Sequence, residues 1–256
     1  MAKIYLINVG ANTSHGRKAR SPIFRNDDTW IYVPFPREDG KKKGETFPDS
    51  TLPFVRVGDG IKCHLDPDWD GLTYGDSCKG VRAVKLLEVQ IGDILLFWGL
   101  LWGTDHGGYI FNSHDKRWYL IGALRVEYIF KNGERTDIKT LPLDIRQRAS
   151  RNAHVHEGQV KQREGERIFV GSRSHSRQFE KAVDWEVYQD GGLMQRAVRT
   201  ESGKQIQWKK RPFWNSETRP CRAILDLDDQ DDRTVAIDLA IRINMKNEGF
   251  DLIADA

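Results

Sequence analysis

Apolar residues occur along this chain in short runs, most of them closed by Gly, Pro or an Asx residue, so strands dominate the expected structure. Ile4 to Val9 predicts a short buried strand ended by Gly10, and Thr29 to Phe35 a second one bounded by Pro34 and Pro36. Ile94 to Trp98 predicts a third, entered sharply from a Gly92-Asp93 turn in which Asp93 can tie down its own loop amides. Trp118 to Phe130 reads as its partner, broken at Gly122 and followed by a Lys131-Asn132-Gly133 hairpin turn. Ile168 to Gly171, Ala182 to Tyr188 and Gln205 to Trp208 add further strands. Helical spacing is clear only in Thr234 to Lys246, where Val235, Leu239 and Ile243 fall on one face with Ala236 and Ala240 beside them. Asp228 to Asp232 precede it and suit the positive end of a helix dipole. Between the strands, Ala11 to Pro22 and Arg37 to Asp49 read as polar loops, and Asp66 to Ser77 is dense in turn residues. The pattern predicts a β-rich α+β fold with few helices and a C-terminal helix.

Composition narrows the function classes. The chain has 256 residues, 39% apolar and 30% charged, which describes a globular protein with a sizeable core. Forty Lys and Arg against 37 Asp and Glu leave a net charge of +3, so charge supports a local basic groove and not a histone-like coat. Cys63, Cys78 and Cys221 are odd in number and contain no CxxC pair, against a zinc ribbon or a disulfide framework. The first residues read as a strand and not as a signal, and the most apolar stretch, Ile91 to Trp102, carries Asp93 and is too short to span a bilayer. A cytoplasmic protein with no membrane partner is expected. GxGxxG, GxSxG and HExxH are all missing, against an ATPase, a dinucleotide oxidoreductase and an α/β-hydrolase.

Two polar constellations carry candidate chemistry. In His64-x-Asp66-x-Asp68, alternate residues of an extended strand face one side, so an imidazole and two carboxylates can converge as an acid–base pair or a divalent-cation site. Pro67 and Trp69-Asp70-Gly71 favour instead a turn in which Asp66 caps local amides and His64 packs beneath. Asn152-Ala153-His154-Val155-His156 presents two histidines on one face, and zinc would need a third ligand from His64 or Asp66. Histidines exposed in a charged loop are the plainer reading. The stretch Arg146 to Lys181 is rich in arginine, and within it Gly171-Ser-Arg-Ser-His-Ser-Arg177 has no acid; its arginines and hydroxyls suit phosphate, as does the Thr13 to Arg20 loop. A solvated surface explains the same charges.

The segment Gly80-Val-Arg82 followed by Gly92-Asp93-Ile-Leu-Leu-Phe97-Trp98-Gly99 resembles the PUA-like superfamily, especially its EVE and YTH-type members. That resemblance implies a mixed barrel core at about residues 80–130 and a pocket for a modified or flipped base. Trp98 and Trp102 would stack the base, with Phe97 and Gly99 beside them; Phe97 reads equally well as core. A wider series is similar to the nucleotide modification associated domain 3 family: Arg20-Ser21-Pro22-Ile23, Val33-Pro34-Phe35-Pro36, His64-Leu65-Asp66-Pro67-Asp68, Gly92 to Gly99, Ile121-Gly122, Asn152-Ala-His154-Val and Ile168-Phe169-Val170. It spans about residues 1–215 as one domain, leaving 216–256 as an acidic linker and helix packing on it. The resemblance implies a nucleotide- or nucleic-acid-binding protein of a DNA base-modification system serving in phage–host conflict, with modified DNA or nucleotides and proteins of that system as partners. Asn12, Arg20, Ser21, Arg82 and Arg173 would meet phosphate. The alternative is an enzyme that installs, trims or removes a base modification through His64, Asp66 and His154, with a divalent metal as its possible cofactor.

Overall fold

The computed structural model describes residues 2–10, 18–37, 45–58, 60–78, 83–104, 115–131, 141–156, 159–160, 165–184, 198–199, 205–206 and 221–254. In chain order the strands are β1 (Lys3–Asn8), β2 (Ser21–Phe24), β3 (Phe35–Pro36), β4 (Cys63–His64), β5 (Thr73–Asp76), β6 (Ile94–Thr104) and β7 (Lys116–Lys131). They continue with β8 (Val155–His156), β9 (Gln159–Val160), β10 (Arg167–Gly171), β11 (Arg177–Asp184), β12 (Val198–Arg199), β13 (Gln205–Ile206) and β14 (Cys221–Asp226). Helix α1 is Leu143–Ser150 and α2 is Gln230–Lys246.

Eight of these strands form one mixed sheet, in the order β14-β1-β6-β7-β10-β5, with β2 also on β6 and β11 also on β7. Strand β6 is its axis because all eleven of its residues are buried, as a near-continuous apolar run requires. Its first half pairs in parallel with β1 and its second half in parallel with β2, while β7 runs antiparallel along its other side. Side chains alternate across the sheet. Ile94, Leu96, Trp98, Leu100 and Trp102 point into one core with Val235, Ala236, Leu239 and Ile243 of α2. Leu95, Phe97 and Leu101 point into a second core with Tyr5, Ile7, Tyr32, Tyr74 and Phe169. A smaller core lies between α1 and β10, built on Ile145, Ala149, Ile168 and Val170.

The sheet is not closed into a barrel, which corrects the barrel core implied by the PUA-like resemblance. Its order ends at β14 on one side and β5 on the other, and the layer of α2 across one face leaves a sandwich-like arrangement. Thr29 to Phe35 is likewise not a continuous strand: Thr29 and Trp30 make single bridges, and only Phe35–Pro36 pairs as β3. Pro34 and Pro36 have no N–H to give a ladder, and Trp30, Tyr32 and Val33 turn inward as core instead. Asp93 does bind loop amides, accepting from Gln90 N at 2.7 Å and from Lys3 N at 2.8 Å. The Asn132-Gly133 turn lies outside the described residues.

The C-terminal segment belongs to this architecture. Strand β14 pairs antiparallel with β1, and α2 folds back over the sheet. The helix starts four residues earlier than its apolar spacing indicates, because Asp229 caps it by accepting from Asp231 N at 2.9 Å and Asp232 N at 3.0 Å. Asp229→Ala is expected to lower stability by about 1 kcal/mol, measured by chemical denaturation of the variant against the native chain. No helix among the described residues is long and apolar enough to cross a membrane.

Candidate functional site

The site is assembled at β5, the outer strand of the sheet, by two segments far apart in sequence. The first begins with β4, where His64 pairs across from Phe35 and the two rings stack, with centroids 4.8 Å apart and planes inclined by 13°. The chain then passes through a cis Asp66-Pro67 bond into a turn closed by Asp68 and Thr73, whose main chains exchange hydrogen bonds of 2.9 and 3.0 Å. That turn leads into β5, and the Gly75 N–H comes back to donate to both Asp66 carboxylate oxygens, at 3.0 and 3.1 Å. Tyr32 fixes the same residue from the other side, its hydroxyl donating to the Asp66 carbonyl at 2.6 Å.

The second segment follows α1. Asn152, buried beside β5, donates from its amide to Thr73 Oγ1 at 3.0 Å and accepts from His154 N at 2.9 Å, so one side chain pins the turn and aims the histidine. The His154 ring then lies between two buried carboxylates. Its Nε2 is 3.3 Å from Asp66 Oδ2, and its Nδ1 is bonded to Glu166 at the start of β10. His64 completes the group: ligand atoms of His64, Asp66 and His154 all lie within 4.8 Å of one another. The two imidazole rings meet edge to face, with centroids 5.0 Å apart.

Charge in this group is unusual for an interior. Burial pushes the Asp66 carboxyl up to about 6, against the lowering influence of the hydrogen bond to His154. Burial alone would lower His154, but its hydrogen bonds to Asp66 and Glu166 outweigh that and raise it to about 9. Asp76, also raised by burial, sits nearby and accepts from Tyr74 Oη at 3.0 Å and Cys78 N at 2.8 Å.

Of the residues singled out in the sequence, His64, Asp66 and His154 are therefore brought together. Asp66 caps the Gly75 amide, as the turn reading of the 64–68 segment expects, and also faces His154. Asp68 is separate: it accepts from Gly71 N at 3.1 Å and lies 3.5 Å from Arg151 Nε. The His156 side chain lies outside the described residues. Glu166 and Gly75 were not singled out. Glu166 reads in sequence as one acid interrupting a basic stretch, and its only signal is a position directly ahead of the apolar run Ile168–Gly171.

The proposed base slot is not open. Trp98 and Trp102 are 1% and 3% exposed and pack under α2, where Trp98 meets Trp118 edge to face. Phe97 is fully buried against Trp69 and Tyr74, and the space over Gly99 is filled by Ile121. A base could stack on either indole only after the core had opened. Arg20 is laid over the Trp102 ring, 5.9 Å from its centroid, with its pKa lowered by burial and then by Arg56. Ser21 is buried and its hydroxyl accepts from Val33 N at 3.1 Å, which removes it from any phosphate surface. Arg173 is exposed but paired with Asp144 of α1. Asn12 and Arg82 lie outside the described residues.

A different aromatic wall exists beside the site. A cleft of about 410 Å³ is lined by Trp30, Tyr32, Leu65, Asp68 and Trp69, among others. It shares the 64–69 segment with the His–Asp group: Leu65, between His64 and Asp66, is part of its wall, and Tyr32 both lines it and holds the Asp66 carbonyl.

No curated protein and no solved structure is significantly similar to this chain. The profile of the nucleotide modification associated domain 3 family matches residues 3–233, a span that takes in the whole sheet, the His64–Asp66 and Asn152–His154 segments, Glu166 and the first turn of α2. With that match over most of its length, the chain belongs to the nucleotide modification associated domain 3 family.

Proposed function

We propose that this chain is an enzyme of nucleotide modification, acting on a nucleobase or nucleotide, with His64, Asp66 and His154 as its reacting groups. One observation carries the reading: two imidazoles and a carboxylate from segments about ninety residues apart converge within 4.8 Å, beside a buried Glu166 that orients one of them. Burying such groups is costly, and clusters of buried ionisable groups with shifted pKa values are concentrated at reaction centres. Groups of this kind carry proton transfer, or hold a metal ion that polarises a substrate oxygen. The name of the family supports a nucleobase or nucleotide as the substrate class.

A second reading, recognition of a modified base without reaction, is favoured by the cleft. Its volume is of the order that small-ligand sites show, and Trp30, Tyr32 and Trp69 give it an aromatic wall. In this reading the base-binding role assigned to Trp98 and Trp102 passes to residues of the cleft.

The two are separated by nucleoside mass spectrometry after incubation with plain DNA, modified DNA, RNA and free nucleotides. The native chain is expected to change the nucleoside composition of one of them. His64→Ala and Asp66→Asn should slow that change by about 10²–10⁴-fold while nucleotide binding persists. Binding with no turnover of any substrate in the native chain would leave the reader. Full turnover in both variants would remove the His–Asp group from the reaction.

A further inference from the structure

We propose that His64, Asp66 and His154 bind one divalent first-row transition-metal ion, with Glu166 as the positioning residue behind His154. The proposal rests on reading this group as the reaction centre and names the cofactor of that centre.

The donor set comes first. Two imidazole nitrogens and one carboxylate are the ligands of a facial site that keeps further positions open, and imidazole selects zinc, iron, cobalt or nickel over calcium and magnesium, which prefer oxygen alone. Ligand bonds of about 2.0–2.2 Å set neighbouring donor atoms about 3–3.6 Å apart. His154 Nε2 and Asp66 Oδ2 are already 3.3 Å apart, within that range. The widest pair of the group, within 4.8 Å, needs to close by about 1 Å to reach it.

Orientation comes second. A ligating imidazole usually gives its other nitrogen to a carboxylate, which fixes the tautomer and the ring plane. Glu166 does this for His154: it takes Nδ1 and leaves Nε2 pointing at Asp66. Asp66 is held by the Gly75 amide and His64 by the Phe35 ring, so each donor is anchored by a neighbour.

Charge comes third. Asp66 and Glu166 are 5% and 1% exposed, and Glu166 Oε2 has no hydrogen-bond partner among the described residues. With Asp76 close by, the group gathers three carboxyl side chains against two imidazoles. A dication reverses that imbalance where no Lys or Arg side chain is seen to do so among the described residues.

The test uses the full-length protein, stripped with chelator and titrated with Co(II) and Zn(II) by calorimetry, with the Co(II) complex followed by its visible absorption. One equivalent should bind at micromolar affinity or tighter, and millimolar Mg(II) should not displace it. His64→Ala and Asp66→Asn should weaken binding by at least 100-fold, and Glu166→Gln by about 10–100-fold. Circular dichroism of each variant shows that it is folded. If His154→Ala does not fold, the His64 and Asp66 variants decide the matter. No stoichiometric binding to the native chain, or binding unchanged in His64→Ala and Asp66→Asn, would overturn the proposal. Metal binding without nucleotide turnover would fail the enzyme reading alone. Turnover that needs His64 but proceeds in chelator would fail the metal alone.

Discussion

Arg148→Ala is expected to cost about 3–5 kcal/mol of stability, since it strips the donors from two buried carbonyls. Arg148 reads in sequence as one charge among many in a basic stretch, yet it is 4% exposed. Its Nε donates to Gly71 O at 2.7 Å, its Nη2 donates to Gly171 O, and its Nη1 lies 3.3 Å from Asp144 and 3.8 Å from Glu127. One guanidinium thus ties α1 to the end of β10 and to the turn that feeds β5. Removing it leaves two carbonyls without that donor and opens a space under the turn. The thermal midpoint should fall by roughly 6–20 °C for a chain of this size, read by scanning calorimetry. Arg148→Lys should recover only part of the loss, because an ammonium cannot reach both carbonyls in the geometry of the planar fork.

Gly75→Ala should do more harm to the site than to the fold. A Cβ at this position would lie 2.5 Å from His154 Cδ2 and 2.7 Å from Asn152 Oδ1, closer than any side chain tolerates. The Gly75 backbone is not in the left-handed region, so the cost is steric. Relieving it means moving the His154 ring or the Asn152 amide that aims it. Stability should fall by about 1–3 kcal/mol. Displacement of His154 by even 1 Å should reduce nucleotide turnover, and the affinity for Co(II), by about 100-fold. Gly58→Ala, where an added methyl meets nothing within 4 Å, should leave both unchanged and serves as the control. Equal effects in the two variants would show that the closeness of Gly75 to His154 has no bearing on the site.

Strands whose apolar residues stand in an unbroken run were legible in the sequence. Ile4 to Val9 and Trp118 to Phe130 lie within a residue or two of β1 and β7, although the break expected at Gly122 does not occur because β7 runs through it, and Ile168 to Gly171 lies inside β10. Ile94 to Trp98 covers only the first part of β6, since Gly99 looks like a stop although the strand runs through it and Gly103 to Thr104. Both glycines face crowded neighbours: Ile121 crowds the first, and Asp115 with Arg25 the second. Helix α1 was hidden because its buried face has only two apolar residues, Ile145 and Ala149, among charges, and the arginine that anchors it is polar. Which apolar strand faces which layer was not legible at all. Trp98 and Trp102 share a face by their spacing, but the sequence does not say that α2 covers that face.

The site divides in the same way. His64-x-Asp66 is a local pattern and could be seen. Its meeting with His154 depends on the crossing of β10 and β5, and on Asn152 reaching Thr73, neither of which leaves a trace in spacing. Glu166 was invisible because nothing local in the sequence distinguishes it from Glu164 and Glu157.

Strand β1 is flanked by β6 on one side and by β14 on the other, so it is synthesised long before the neighbour that completes its second edge. Contacts spanning so much of the chain make for a slow search and a late commitment. Until Cys221–Asp226 arrives, one row of β1 amides and carbonyls has no native neighbour and is open to strands of other nascent copies. Yield of this protein in a cell should therefore depend on synthesis rate and on chaperones that shield a lone ribbon of backbone, well before any question of catalysis arises.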